Sequence, residues 1–281
     1  MRQLSLATSW GELRLAGGSR AGEGSLLLLP QLRLALDAGR PARALVPMAH
    51  VVVSHGHLDH LLGLPFWASQ RKLQGIPGGV AYVPASLVEE VGALLALTAR
   101  LEGGSPYGVG LRGAMPGDIV PVKPGFELSF FRTSHWVDTL GCRVDWLRRR
   151  LRPEYAGLPA DELRRCRAAG EEIGEVVRTP LVAYLGDTGP GVFDAETALA
   201  DVEVLIVECT FLDARDRDRA QQFGHMHLDD VAGLAPRLRN RHLVLTHLSR
   251  RHRLADGARL IRRTLAPDLS PRLHLLNVEW E

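Results

Sequence analysis

Short leucine-rich or β-branched runs alternate along this chain with longer stretches of helical rhythm, and some neighbouring runs look antiparallel. That mixture predicts an α+β fold. Size is the second observation: 281 residues, 46% of them hydrophobic, can bury a substantial core as one domain over residues 1–281. The third concerns where polar residues fall. Four apolar runs each end in a residue able to bind a metal, namely His55, His135, Asp187 and His247. Loops at one sheet edge can bring such residues together on a rigid scaffold.

The first segment alternates as strands do, with Leu4 and Leu6, then Leu13 and Leu15, broken at Gly11 and at Gly17-Gly18. Residues 19–24 read as a turn, and 25–29 with 32–36 as a hairpin about Pro30 that ends at Asp37-Ala38-Gly39. A brief helical or irregular link after Pro41 leads into the strand Val51-Val52-Val53. Residues 61–73 have a helical rhythm that offers Leu62, Phe66 and Leu73 for one face. A short strand at 81–83 follows, and Pro84-Ala85-Ser86 then caps a helix from Leu87 to about Leu101, with Gly103-Gly104 past its end.

Turn signals fill much of 110–122, with a short strand at 119–122. Residues 127–132 alternate as a strand that delivers Ser134-His135. Residues 143–146 read as the next strand, followed by an arginine-rich, partly helical segment. Strands at 180–185 and 202–207 end in Gly186-Asp187-Thr188-Gly189 and Glu208-Cys209-Thr210-Phe211. A helix from near His227 to Arg239, a strand at 242–246, a helix at 255–265 and a strand at 272–278 complete the chain. No tandem repeat of fixed period and no low-complexity linker is visible.

The stretch His55-Gly56-His57-Leu58-Asp59-His60 is the richest in chemistry. Gly56 allows a tight turn between two imidazoles. In an extended tip, side chains two apart project the same way, so His55 and His57 can grip one ion. Asp59 and His60 are offset and more easily serve a second ion beside it. Imidazole with carboxylate suits zinc, and also manganese or iron.

The net charge of +2 is unevenly spread. Residues 143–167 carry eight arginines against Asp145, Glu154, Asp161 and Glu162, while 237–253 carry six arginines and no acid. Only Lys72 and Lys123 are lysines. Arginine preference fits bidentate phosphate recognition, and fits a GC-rich genome equally well. Cys142, Cys166 and Cys209 are odd in number and widely spaced, which argues against a disulfide framework and for a cytoplasmic setting. Leu26-Leu27-Leu28-Leu29 stops at Pro30, too short for a membrane span or signal-peptide core.

Taken together, His55-Gly56-His57-Leu58-Asp59-His60, Ser134-His135, Gly186-Asp187-Thr188 and Thr246-His247 resemble the motifs of metallo-β-lactamase-fold hydrolases. Leu64-Pro65, Leu140-Gly141, Glu208-Cys209-Thr210-Phe211 and Gly224-His225-Met226-His227 extend the likeness to ribonuclease Z, the tRNA 3′-processing endonuclease family. The early Gly18-Ser19-Arg20-Ala21-Gly22-Glu23 and Asp37-Ala38-Gly39-Arg40 resemble its short plant-type and related bacterial forms. The resemblance implies an αββα sandwich with two zinc ions at one sheet edge, manganese or iron being alternatives. It puts His55, His57 and His135 on the first ion and Asp59, His60 and His247 on the second, with Asp187 bridging. Two such ions can lower the pKa of a shared water and stabilise charge on a phosphoryl group. The resemblance also implies precursor tRNA as partner, a homodimer, and a proton donor at His225 oriented by Glu208.

Other groups have plainer readings. Cys209 reads as a small buried residue. His227 departs from the serine or threonine common in the family at that place; it could share the proton-donor role, bind phosphate or merely open a helix. His252 with Arg250, Arg251 and Arg253 either touches a substrate phosphate or starts a solvated basic helix. Arg148, Arg149 and Arg150 lie where ribonuclease Z proteins insert an RNA-binding arm. The basic segment 143–178 stands in place of a long one, binding phosphates beside the site or forming a charged helix face. Two other functions fit the motifs: hydrolysis of a small phosphodiester, cyclic nucleotide or other ester, and a catalytically silent RNA-binding module.

Overall fold

The computed structural model describes residues 1–280, which form two seven-stranded sheets packed face to face. The first half of the chain builds one sheet. Strands β1 (Arg2–Thr8), β2 (Gly11–Arg20), β3 (Gly24–Leu29) and β4 (Leu34–Leu36) pair antiparallel in succession. Strands β5 (His50–Val52), β6 (Val80–Pro84) and β7 (Gly110–Ala114) then add in parallel. Parallel pairing needs crossovers, supplied here by a 3₁₀ turn, by α1 (Leu58–Leu61) with α2 (Leu64–Leu73), and by α3 (Val88–Leu101).

The second half repeats that plan. Strands β8 (Ile119–Lys123), β9 (Phe126–Arg132), β10 (Leu140–Leu151) and β11 (Gly174–Tyr184) are antiparallel, and β12 (Val204–Glu208), β13 (His242–Thr246) and β14 (Leu273–Leu275) follow in parallel. Helix α4 (Ala160–Ala168) sits between β10 and β11 in sequence. Helices α5 (Val192–Ala195), α6 (Arg217–Phe223), α7 (Leu228–Leu234) and α8 (Leu254–Leu269) lie in the later crossovers. Three antiparallel pairs followed by three parallel ones thus occur twice, a repeat of strand direction that no sequence period announces.

Strand alternation sorts side chains into three cores. Leu27, Leu29, Leu34, Leu36 and Val52 meet Phe126, Leu128, Phe130, Val144 and Val182 between the sheets. Their neighbours Leu26, Leu28, Ala35, Val51 and Val53 face outward onto Leu64, Trp67, Ala68 and Val91 of α2 and α3. On the other side Ala183, Leu205, Val207 and Leu243 pack on Val231 and Leu234 of α7 and Ile261 and Leu265 of α8. Each such Val, Leu, Ile or Phe side chain contributes roughly 1.5–3 kcal/mol on burial. The architecture is the expected αββα sandwich.

Several local expectations need correction. Residues 19 and 20 belong to β2 rather than to a turn. The inward face of α2 is Leu64, Trp67, Ala68 and Arg71, while Leu62 and Leu73 are exposed. Pro65 at the start of a new helix resets the phase that a single helix over 61–73 assumed. Ser86 makes no cap for α3; its hydroxyl donates to Asp138 Oδ2 at 2.6 Å. Residues 110–114, read as turn for their glycines, pair with β6 as an edge strand.

The basic segment also differs. Arg148, Arg149 and Arg150 are strand residues of β10, paired with Val177, Val176 and Glu175 of β11. Pairing of β9 with β10 ends at Trp146↔Phe126, so beyond it β10 and β11 form a two-stranded ribbon with α4 in its connection. Among the described residues no helix is long and apolar enough to cross a membrane.

Candidate metal centre

Six groups of interest lie at or just past the C-terminal end of a strand. Asp37 follows β4, His55 follows β5, His135 follows β9, Asp187 follows β11, Glu208 ends β12 and His247 follows β13. The two sheet edges are joined there, with Leu140 N–H donating to Ser54 C=O at 2.9 Å. Gly186 takes the left-handed φ of +61°, and a Cβ on it would fall 2.7 Å from Ser54 Cβ, so only glycine lets Asp187 come in beside His55. Asp37 and His247 also have positive φ, at 59° and 60°. Such strain in non-glycine residues costs about 1–3 kcal/mol and collects at functional sites.

Three sets of ligand atoms result. One comprises His55, His57, His135 and Asp187, another Asp59, His60 and His247, and a third, overlapping both, Asp187, His225 and His247; within each the atoms lie within 4.8 Å of one another. His55 Nε2 faces His57 Nδ1 at 2.9 Å, and His60 Nε2 faces His247 Nε2 at 3.1 Å. Asp187 Oδ2 stands between the first two sets, 3.7 Å from His55 Nε2 and 3.5 Å from His60 Nε2, with Oδ1 3.4 Å from His247 Nδ1. Asp59 Oδ2 accepts from Gly22 N–H at 2.7 Å and lies 3.5 Å from His247 Nε2.

The hydrogen bonds behind these rings fix their tautomers. Ser54 Oγ donates to Asp37 Oδ2 at 3.0 Å and so accepts from His55 Nδ1 at 3.0 Å. His60 Nδ1 donates to Asp37 Oδ2 at 2.5 Å, and His135 Nδ1 donates to Gly224 C=O at 3.1 Å. Thr210 Oγ1 donates to Glu208 and so accepts from His247 Nδ1 at 3.1 Å. When neutral, each of the four rings therefore carries its lone pair on Nε2, aimed at the cluster. His135 Nε2 is buried with no hydrogen-bond partner. A buried acceptor left open amid inward lone pairs and carboxylates is what a divalent cation satisfies, so these residues fit metal ions.

Electrostatics agree. Burial pushes His55 well below the ordinary imidazole value, and His57 and His135 below it, which leaves them neutral ligands. Burial opposes charge on His60, but Asp187 and Asp37 beside it carry the ring well above its usual value; a metal bound by this ring would take that proton's place. Burial likewise opposes ionisation of Asp187, and His247 and His60 outweigh it, holding the carboxyl well below the usual range.

Beside the cluster opens a cavity of about 310 Å³, lined by His57, Asp59, Asp187, Phe211, His225 and His247 among others. His225 Nδ1 donates to Glu208 Oε1 at 2.6 Å. Burial disfavours the charged ring, but Glu208 raises it to about 9. Glu208 is itself held by the N–H groups of Thr188 and Thr210, at 3.0 and 3.1 Å. A protonated imidazole on a fixed carboxylate, facing a cavity beside the cluster, can deliver a proton to a departing oxygen.

Not every expected residue arrives here. Arg251 lines the cavity, whereas Arg250 turns to Glu23 at 3.5 Å. Arg148, Arg149 and Arg150 are not beside the site: β10 leaves the cluster edge at Leu140, and eight residues of strand span roughly 27 Å. His227 is buried as the N-cap of α7, accepting from Asp229 N–H at 3.1 Å in a capping box with Asp230, so it faces no substrate. Asp37 was missed as a site residue, and so was Tyr184, whose hydroxyl donates to Asp37 Oδ2 at 2.5 Å. The hints to Asp37 were that, like the ligands, it ends an apolar run, and that it opens the family-like stretch Asp37-Ala38-Gly39-Arg40.

The fold and cluster together define the class. Residues 21–248 match the Beta-lactamase superfamily domain, and the chain belongs to that superfamily. YhfI, a metallo-beta-lactamase fold protein from Bacillus subtilis, shares the fold with a TM-score of 0.61 at 16% identity, covering 94% of this chain and 95% of that one. Human tRNase Z, short form (ELAC1), does so with a TM-score of 0.57 at 18% identity over 92% of this chain and 94% of its own. In sequence the match is finer, and the chain belongs to the tRNase Z (ribonuclease Z) family. It is 30% identical over 246 residues to tRNase Z TRZ1 of Arabidopsis thaliana, covering 86% of this chain and 87% of that one. A protein named ribonuclease Z from Nocardia farcinica is 30% identical over 240 residues, covering 77% of this chain and 75% of its own.

Proposed function

We propose that this chain is a metal-dependent endoribonuclease that removes 3′ trailers from tRNA precursors. The observation that carries the proposal is the pairing of two adjoining ligand sets with the His225–Glu208 couple on one cavity. In this reading His55, His57 and His135 hold one ion, Asp59, His60 and His247 the other, and Asp187 both. Zinc is the proposed metal, because five of the seven ligands are imidazoles; manganese and iron are the alternatives. Divalent ions held there supply Lewis acidity toward a phosphoryl oxygen and a nucleophilic water.

The chain's own residues do the rest. Asp59, on the cavity wall and held by Gly22 N–H, keeps an acceptor oxygen toward the attacking water. His225 protonates the leaving ribose oxygen, and Glu208 fixes its ring and its charge. Arg251 neutralises phosphate charge at the cavity, and Arg148, Arg149 and Arg150 on the ribbon bind phosphates farther along the RNA. Arg250 contributes to the same positive surface. The free thiols of Cys142, Cys166 and Cys209 favour a cytoplasmic setting. A homodimer belongs to the same reading; exposed Leu58 and Leu62 on and just after α1 offer apolar surface for it.

The test is metal analysis of the purified chain combined with cleavage of a precursor tRNA bearing a 3′ trailer and of a small phosphodiester. Two ions per chain and a cut at the tRNA–trailer junction are expected. Turnover of the small diester with the precursor left whole sinks the RNA assignment. RNA affinity with negligible metal would instead mark a silent binding module.

A further inference from the structure

Against two residues that line the cavity, His57 and Phe223, packs a tryptophan that the proposed chemistry leaves unused. Trp136 directly follows the ligand His135, yet it is 60% exposed, among the largest apolar side chains left in water on this chain. It is nonetheless held in place. Its ring centre lies 5.3 Å from that of His57 and 6.2 Å from that of His135. Phe223 meets it edge-on at 6.4 Å and an interplanar angle of 75°. Phe223 lines the cavity at the end of α6, and Arg219, one turn earlier, sits 5.4 Å from its ring.

We infer that Trp136 is the stacking platform for the nucleobase next to the scissile phosphate, with Phe223 bracing it. The inference rests on the RNA reading and specifies the contact that lets the site hold a nucleotide rather than a bare diester. A phosphate held in the cavity would adjoin His57, and the base of the neighbouring nucleotide would then meet the indole packed on that ring. An exposed indole braced by two aromatic rings meets a base with little loss of its own freedom. Stacking accepts any base, because every base has a π-face. Unpaired bases at an RNA 3′ end are free to splay onto such a surface. Arg219, over the Phe223 ring that braces the indole, and Arg251 bring positive charge to the adjoining cavity wall.

The test uses the metal-loaded full chain, Trp136→Ala and Trp136→Phe, on a trailer-bearing precursor tRNA and on two versions with an abasic nucleotide on one or the other side of the cut. In the wild type, one abasic substitution lowers kcat/KM on the order of 10-fold, the scale of one lost base–aromatic stack. Trp136→Ala produces a similar fall, carried mainly by KM, with metal content retained. On the affected abasic substrate Trp136→Ala causes no further loss, and Trp136→Phe restores most of the activity on the intact one. Undiminished abasic penalties in Trp136→Ala, or unchanged kcat/KM on the intact precursor, overturn the inference. A drop in oligomer mass with equal losses on all substrates assigns the indole to a protein interface instead. A wild-type chain that leaves the precursor uncut removes the RNA reading itself, a result distinct from each of these.

Discussion

Replacing Asp37 by asparagine asks whether the cluster is set by its ligands alone or by what stands behind them. Asp37 is fully buried. Its Oδ1 accepts from Ser54 N–H at 2.7 Å, and its Oδ2 accepts from Ser54 Oγ at 3.0 Å, Tyr184 OH at 2.5 Å and His60 Nδ1 at 2.5 Å. An amide of the same shape must put an NH₂ at one of those places. Turned toward Oδ1 it meets a backbone N–H that cannot rotate away. Turned toward Oδ2 it meets two hydroxyls that can rotate and one imidazole that can accept only by moving its proton to Nε2. That nitrogen faces His247 Nε2 at 3.1 Å and Asp187 Oδ2 at 3.5 Å, where the lone pair is needed. Loss of such a supporting carboxylate typically costs 10–100-fold in metal affinity, about 1.4–2.7 kcal/mol. A lost charge-assisted bond costs stability on the order of 1.5–3 kcal/mol. Titration against a chelating indicator and thermal unfolding of the metal-free protein read the two separately. An unchanged affinity for both metal equivalents would refute the argument.

Three further outcomes follow from the same geometry. Asp187→Ala is expected to lose metal and hydrolysis while keeping its circular dichroism spectrum; unaltered cleavage would remove Asp187 from between the two ions. Glu208→Gln withdraws the charge that raises His225 to about 9, so the alkaline limb of the metal-loaded activity profile moves to lower pH. Because His225 is raised, its stabilising contribution is complete below its unfolded value near 6.5 and is lost as pH climbs through about 9. Urea unfolding should therefore show the Glu208→Gln deficit at pH 6 and little of it at pH 10; the opposite order would be decisive against it. Changing Arg148, Arg149 and Arg150 together to glutamine should weaken precursor tRNA cleavage and flatten its salt dependence by about one unit of slope for each phosphate no longer neutralised. A salt dependence identical to wild type would show that the ribbon meets solvent only.

What could be read from the order of residues was whatever is local. His55 to His60 declare themselves because four ligand types crowd the tip of one apolar run, and His135, Asp187 and His247 repeat the placement. Their supports were hidden because they are tertiary. Asp37 meets His60 from 23 residues away and Tyr184 from 147. The turning of α2 was hidden for another reason: Arg71 points inward, where hydrophobic pattern expects leucine. Its guanidinium donates to the carbonyls of Val46, Met48, Pro77 and Gly78, tying two loops to the helix through their backbone acceptors. Arginines 148–150 look like a charged helix by composition, and β-pairing with Glu175, Val176 and Val177 decides otherwise.

The doubled strand plan would give a bound metal a second task. His55, His57, Asp59 and His60 come from the first half, and His135, Asp187 and His247 from the second, joined by the few residues between Ala114 and Ile119. Neither half owns a full set of these groups, so ions bound there would be rivets across a seam as much as reagents. A chain severed at that short link could rebuild its catalyst only when both pieces and the metal are present together. Hydrolysis would then report on assembly, and removing the metal would loosen the molecule along the line where its two halves meet.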